Sequence, residues 1–426
     1  MTIIAPRGTF DIYSEEMLRW QCLEREIRRI MNLFSYNEIR TPIFESTELF
    51  MRGIGEETDI VTKEMYTFND KGGRSNTLRP EGTASVVRSY VERKMSSENR
   101  ITKLYYIAPM FRYERPQAGR YRQHHQFGVE AIGSESADVD VEVIALIMQL
   151  YQGIGLKNLE LRLNSVGCPE CRPTYINELK GFLRGVEDQL CTDCKIRASK
   201  NPLRVLDCKN EKCGQILEKS PVITQYLCEG CEKHFENTKN GLGRLSISYI
   251  LDSRLVRGLD YYTKTTFEVR AVGIGAQDSI AGGGRYDTLI EMLGGPPTPA
   301  VGFGAGIERL LATLDKYGIE LPIKEDPLIF FALLGEKARE NGLPLLYECR
   351  KRGVRCETDY FDRGLKAQLK AANRLKATCV VMIGEEETAS GKAMIRDFTT
   401  KEQTQVAFSE LADYIMKKLK EVCADD

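Results

Sequence analysis

One stretch, residues 101–133, constrains the fold more tightly than any other: ITKLYYIAPMFRYERPQAGRYRQHHQFGVEAIG. Residues 103–114 are aromatic and β-branched enough to predict a strand. A Pro- and Gly-containing loop follows over 115–122, and residues 125–132 predict a returning strand. Side chains alternate across a strand, so Arg112 and Glu114 share one face, and Gln126, Gly128 and Glu130 share one face of the partner. If those faces coincide, the hairpin carries a cation, two carboxylates and an amide on one floor. The loop above it holds Arg115, Arg120 and Arg122 and no carboxylate. Such a floor suits an anionic, polyphosphate-bearing substrate with a donor-rich partner. The alternative is a half-exposed hairpin with surface charges.

The 426 residues predict two to three domains. A 42% hydrophobic and 28% charged composition fits a globular enzyme and excludes a disordered chain. The net charge of −1 confines any nucleic-acid surface to local basic patches. The start, MTIIAPRGTFDIYSEEM, lacks the basic and apolar regions of a signal peptide. No apolar run approaches the roughly 20 residues that cross a bilayer. The expectation is a cytoplasmic protein with no membrane partner, its 13 cysteines being thiols or metal ligands rather than disulfides.

Apolar residues at helical spacing predict a helix over 14–34 with Ser14 as N-cap. Residues 38–44 predict a short strand interrupted by Pro42, and proline in a strand marks a sheet edge and a candidate subunit boundary. After Arg79-Pro80, Glu81 and Thr83 open a helix over 84–94. They either cap it or point into a cleft. Strands are predicted to resume over 255–263, 265–272 and 278–281, closing on Gly282-Gly283-Gly284, where three glycines either let the backbone approach a ligand closely or make a tight turn. Alternating Gly302, Gly304 and Gly306 lead into a helix with Arg309 in its first turns. That spacing is not a dinucleotide fingerprint, but a flat glycine floor beneath an arginine suits an adenine and its phosphates. Beyond a linker at 321–327 the pattern becomes β-α-β-α-β, a separate α/β domain of about 100 residues. One of its helices carries Lys366, Lys370, Arg374 and Lys376, a solvated face that is compatible with RNA.

Cysteines concentrate between 168 and 231: Cys168 with Cys171, Cys191 with Cys194, Cys208 with Cys213, and Cys228 with Cys231. Tetrahedral zinc is commonly held by two such pairs, so one or two all-thiolate structural sites are candidates, with His234 not required. Reduced thiols packed in a small helical insert are the alternative.

Taken in order, Pro42, Phe111-Arg112-Tyr113-Glu114 and the run from Gly302 to Arg309 resemble the three signature motifs of class II aminoacyl-tRNA synthetases. Arg257-Gly258-Leu259-Asp260-Tyr261-Tyr262 and Ala281-Gly282-Gly283-Gly284-Arg285-Tyr286-Asp287 resemble two segments peculiar to the histidyl-tRNA synthetases. The similarity spans nearly the whole chain. It implies an α+β catalytic domain with a mainly antiparallel sheet (1–167 and 241–322), interrupted by a cysteine-rich, mainly helical insertion (168–240). A C-terminal α/β anticodon-binding domain (327–426) follows.

The resemblance implies activation of L-histidine with ATP and Mg2+ to an adenylate, then transfer to the 3′ end of tRNA(His) by a bacterial-type homodimer. By the same resemblance Arg257 and Arg112 are catalytic. Arg112, Glu114, Arg120 and Arg309 bind ATP. Glu81, Thr83, Arg112, Gln126, Glu130, Arg257, Tyr261 and Tyr262 bind histidine, and Arg115, Gln117 and Arg122 contact tRNA. The cysteines depart from many relatives, so any zinc there is structural. Two rival expectations are a catalytically inactive regulatory paralogue from histidine biosynthesis and an RNA-binding protein built around the cysteine insert.

Overall fold

The computed structural model of the chain describes residues 2–98, 101–116, 119–273 and 278–424. Contacts divide it into two units, Met1–Pro322 and Ile323–Asp426. The larger is built on an eight-stranded sheet: β1 (Asn37–Glu38), β2 (Thr102–Phe111), β3 (Gln123–Ile132), β4 (Leu159–Ser165), β5 (Ile250–Leu251), β6 (Thr263–Ala271), β7 (Ser279–Arg285) and β8 (Ala300–Gly306). The spatial order is β1-β2-β3-β8-β7-β6-β4-β5. Every internal pairing is antiparallel, and a two-residue parallel strand closes each edge.

Period-two alternation splits the two faces of this sheet by chemistry. Phe127, Val129, Ala131, Val301, Phe303, Ala305, Phe267 and Val269 point to one face. There they pack against Trp20, Leu23 and Ile27 of the helix Ser14–Leu33 and Ile144, Ile147 and Tyr151 of the helix Ala137–Gly153. The register brings the intervening residues into rows on the other face. Tyr106 lies opposite Gly128, Gly128 opposite Gly304, Gly304 opposite Gly282 and Gly282 opposite Glu268. The next row runs Leu104, Glu130, Gly302, Gly284 and Thr266. This second face is therefore paved with glycine at its centre and carries polar side chains around it.

The smaller unit carries β9 (Leu328–Leu333), β10 (Arg355–Thr358), β11 (Cys379–Ile383), β12 (Lys392–Asp397) and β13 (Gln403–Ala407), in the order β10-β9-β11-β12-β13. β9 is parallel to both neighbours and apolar throughout. A strand buried on both faces requires such a run: Ile329, Phe331 and Leu333 meet Leu346 and Leu411, while Phe330 and Ala332 meet Ala371 and Ala372.

Several local expectations are corrected. Ser14 does not cap the first helix; Tyr13 holds the cap position without a side-chain bond, and Ser14 is the first helical residue. Residues 39–43 are not a strand, since Pro42 separates β1 from a strand of a small three-stranded sheet, Phe44–Ser46. Residues 255–262 are irregular rather than extended, and Gly282–Gly284 lie within β7 rather than in a turn. A glycine run with close backbone neighbours continues a strand as readily as it ends one.

A methyl group at Gly304 would overlap the Gln126 amide. Gly304→Ala is expected to destabilise the protein by about 1–3 kcal/mol. Gly181→Ala, inside a helix with open space around it, is expected to be stabilising by about 0.5–1 kcal/mol. Urea denaturation of both variants checks the pair.

Candidate active site

Four polar side chains lie flat on the glycine rows because no Cβ lifts them. Glu130 covers Gly302, Gln126 covers Gly304, the Arg257 guanidinium covers Gly282, and the Tyr106 ring covers Gly128 and Gly82. The predicted coincidence of hairpin faces holds as far as β2 and β3 pair, with Ala108 opposite Gln126 and Met110 opposite His124. Arg112 continues the ladder beyond the strand end through its N–H to the Arg122 carbonyl at 2.8 Å.

The candidate residues fall into an inner, fully buried layer and an open cleft. In the inner layer the Glu81 carboxylate accepts from the Thr83 and Ala84 N–H groups at 2.7 and 2.8 Å, so it caps the helix Thr83–Glu92. The Thr83 hydroxyl donates to Glu130 at 2.7 Å, and the Tyr286 hydroxyl donates to the other Glu130 oxygen. Tyr261 packs on Tyr262 and Tyr286, with ring centroids 4.7 and 5.7 Å away. Burial raises the Glu130 carboxyl to about 8 from its ordinary 4.5, its two hydroxyl donors opposing the shift and the nearby Glu81 adding to it. Tyr286 and Tyr106 belong to this layer and were not singled out from the sequence. Tyr286 lies beside a segment read for its glycines and Tyr106 inside a predicted strand, and the signal was their parity with Glu130 across the strand pairs.

The cleft has a volume of about 240 Å³ and is lined by Arg112, Arg120, Arg257 and Arg309 together with Glu114 and Gln126. Each arginine is anchored through a guanidinium nitrogen. Arg112 Nε donates to the Pro80 carbonyl at 2.8 Å, Arg309 to the Ser279 carbonyl at 2.8 Å, and Arg257 to Glu268 at 3.0 Å. Glu114 pairs with Arg120. The crowding of cations shows at His124, which burial depresses to about 3 with Arg112, His125, Arg309 and Arg120 adding to the shift. Two buried polar atoms here, Gln126 Oε1 and Arg257 Nε, have no partner among the described residues. A buried amide oxygen on a cleft floor is an acceptor awaiting a donor. The arrangement can receive a ligand that presents an N–H donor to Gln126 and anionic oxygens to the arginines.

Of the loop residues, Arg115 is exposed. Arg122 stacks on the Tyr113 ring at 4.0 Å and donates to the Glu114 carbonyl at 3.3 Å, which fixes the loop. Gln117 lies outside the described residues. The cysteines sort into two tetrads, Cys168/Cys171/Cys228/Cys231 and Cys191/Cys194/Cys208/Cys213. His234 joins neither and instead meets Asp140, which also binds the buried Arg285.

Comparison with known proteins accounts for this pattern. The histidyl-tRNA synthetase family model matches residues 8–170 and 208–310, and an anticodon binding domain model matches 328–418. A relative from Caldanaerobacter subterraneus named histidine–tRNA ligase is 53% identical over 96% of this chain and 98% of its own length. One of the same name from Halothermothrix orenii is 51% identical over 98% and 100%. The chain belongs to the histidyl-tRNA synthetase family. The apo histidyl-tRNA synthetase of S. aureus superimposes with a TM-score of 0.82 at 42% identity, covering 97% of this chain and 99% of that one. The larger unit accordingly has the class II synthetase fold with its mainly antiparallel sheet, and the smaller is an α/β anticodon-binding domain. A Bacillus halodurans structure titled as an ATP phosphoribosyltransferase regulatory subunit/histidyl-tRNA synthetase is 21% identical and shares the fold alone. Among the described residues no helix is long and apolar enough to cross a membrane.

Glu130 carries a pH signature. The folded state keeps a proton that the unfolded chain releases between about 4.5 and about 8. Stability is therefore lost as pH rises through that window and is level above it. Glu130→Gln removes the dependence, so the variant is expected to gain on the parent by roughly a few kcal/mol across the window. Urea midpoints measured for both proteins at its two ends check the sign.

Proposed function

We propose that this chain is a cytoplasmic histidine–tRNA ligase. It would activate L-histidine with ATP and pass the histidyl group to the 3′ end of tRNA(His). The observation that carries the reading is the pair of unpartnered buried atoms, Gln126 Oε1 and Arg257 Nε, on a glycine floor ringed by four arginines. The α-amino group of histidine supplies the donor that Gln126 lacks. The reacting carboxylate and the α-phosphate lie between Arg257 and Arg112, whose planar forks match paired anionic oxygens. Arg309 takes the distal phosphates. Glu114 turns from Arg120 toward the adenine amino group, which frees Arg120 for phosphate.

The chemistry asks for positioning and charge stabilisation. One carboxylate oxygen attacks the α-phosphorus and the bond to pyrophosphate breaks; a ribose hydroxyl of tRNA(His) then attacks the carbonyl carbon of the histidyl-adenylate, forming the ester as AMP leaves with the hydroxyl's proton. Arginines already anchored through one guanidinium nitrogen reorganise little as negative charge grows on the phosphorus oxygens. The other acidic groups at the cleft are committed: Glu268 to Arg257 and Arg270, and Glu308 to His125. With Glu114 turned to the adenine, no carboxylate cage remains among the described residues, so Mg2+ would enter the site as part of the nucleotide.

The inner layer suits the imidazole. Glu130 and Tyr262 serve one ring nitrogen each, with Tyr261 packed beside them and Tyr286 orienting Glu130. Thr83 ties Glu130 to Glu81, whose capping bonds hold the wall near the amino group. A site of buried hydrogen bonds rejects amino acids that leave them unmade. On the surface, Arg115, Gln117 and Arg122 remain the proposed contacts to the tRNA acceptor end. In the smaller unit, Lys366 and Lys370 with exposed Tyr360 and Phe361 suit RNA. Exposed Ile43, Phe44 and Phe68 form an apolar patch beside Pro42 that supports a homodimer.

Histidine-dependent exchange between ATP and pyrophosphate tests the reading: exchange indifferent to histidine sinks it, and no exchange at all sinks it in favour of the inactive regulatory paralogue. Arg257→Ala is expected to lower kcat by about 10²–10³-fold. Tyr286→Phe is expected to raise the histidine KM by roughly tenfold, the worth of one hydrogen bond, with the ATP KM unchanged.

A further inference from the structure

We infer that the two cysteine tetrads are separate tetrathiolate zinc centres, and that together they clamp the irregular segment 257–262, which carries Arg257, Tyr261 and Tyr262. The metal assignment stands on geometry alone. Four sulfurs around zinc at about 2.3 Å must lie about 3.8 Å from one another. In the first tetrad Cys168 Sγ is 3.7 Å from Cys171 Sγ and from Cys228 Sγ, and Cys171 Sγ is 3.8 Å from Cys231 Sγ. In the second, Cys191 Sγ is 3.8 Å from Cys208 Sγ. Within each tetrad all four sulfurs lie within 4.8 Å of one another, and every one of these cysteines is free of disulfides. Backbone N–H groups point at the sulfurs, Cys168 N at Cys171 Sγ (3.2 Å) and Cys191 N at Cys213 Sγ (3.3 Å). Such bonds stabilise the ionised form that a metal needs.

Each tetrad also delivers an arginine to one end of the same segment. Residues 257–262 are in neither helix nor strand, so their carbonyls need partners from elsewhere. Arg172, the neighbour of Cys171, donates to the Tyr262 carbonyl at 2.5 Å and to the Val166 and Gly167 carbonyls at 3.0 and 3.2 Å. Arg204 lies on the stretch between Cys194 and Cys208 and donates to the Arg257 carbonyl at 3.2 Å. Asn201, on that same stretch, donates to Asp260 at 2.9 Å. The insertion thus grips the segment at both ends and in the middle. Arg172 and Arg204 are positioning residues, and their consequence for histidine rests on the function proposed above.

The test begins with metal content of the full chain purified without added metal. Two zinc ions per chain are expected, and one in each of the doublets Cys168→Ser/Cys228→Ser and Cys191→Ser/Cys208→Ser. One or no zinc in the parent, or iron in its place, overturns the metal assignment. Hydrogen exchange of the peptide covering 257–262 then tests the clamp in Arg172→Ala and Arg204→Ala, variants that keep every cysteine. Exchange roughly tenfold faster is expected, as for one lost hydrogen bond, with partial recovery in Arg204→Lys. Unchanged exchange in both alanine variants overturns the clamp. Faster exchange in a parent background that shows no histidine-dependent pyrophosphate exchange leaves the clamp standing and removes the catalytic reading instead.

Discussion

The structure depends on giving up side chains at the middle of a sheet. Gly128, Gly282, Gly302 and Gly304 sit on adjacent strands, and their missing Cβ atoms leave a recess at the centre of that face. A β-carbon at any of them would occupy the space now taken by Tyr106, Arg257, Glu130 or Gln126. The loss of apolar packing is affordable because the opposite face carries the aliphatic core. One period-two pattern therefore supplies stability on one side and a recess on the other.

That recess is electrostatically divided. Deep inside, Glu81 and Glu130 are buried carboxyls whose burial pushes both upward, with hydroxyl and backbone donors working against it. Toward the mouth, cations accumulate around a depressed His124. A ligand that is anionic at one end and a neutral hydrogen-bonding ring at the other matches this gradient. The fully buried Arg285, bound to Asp140 and Asp287, anchors the strand end next to Tyr286. Buried ion pairs of this kind are costly to form and costlier to break, so they fix an arrangement rather than add net stability.

Much of this was legible before any coordinates. The hairpin, the alternating glycines, the two-pair spacing of the cysteines and the change to a β-α-β pattern after residue 327 each carry a local period or spacing. What escaped has a shared cause: it depends on partners distant in sequence. Tyr286 is unremarkable until β7 and β8 bring it to Glu130. Residues 255–262 read like a strand, yet the Arg257 and Tyr262 carbonyls are taken by arginines from the insertion. Arg122 looks like a free loop cation, but Tyr113 and Glu114 hold it. Glu81 shows that capping and lining a pocket are compatible, since one buried carboxylate caps the helix while bordering the histidine layer.

The first cysteine tetrad sits where the insertion leaves the sheet, three residues after β4, and where its last helix begins. A cross-link at the neck of a loop isolates whatever hangs beyond it, because changes in the distal chain no longer pull on the strands. The family match is interrupted at 171–207, largely beyond that neck. On the zinc reading inferred above, the insertion is a cartridge on a fixed mount: the four thiols at its neck and Arg172 hold the mount to the sheet whatever the distal chain does.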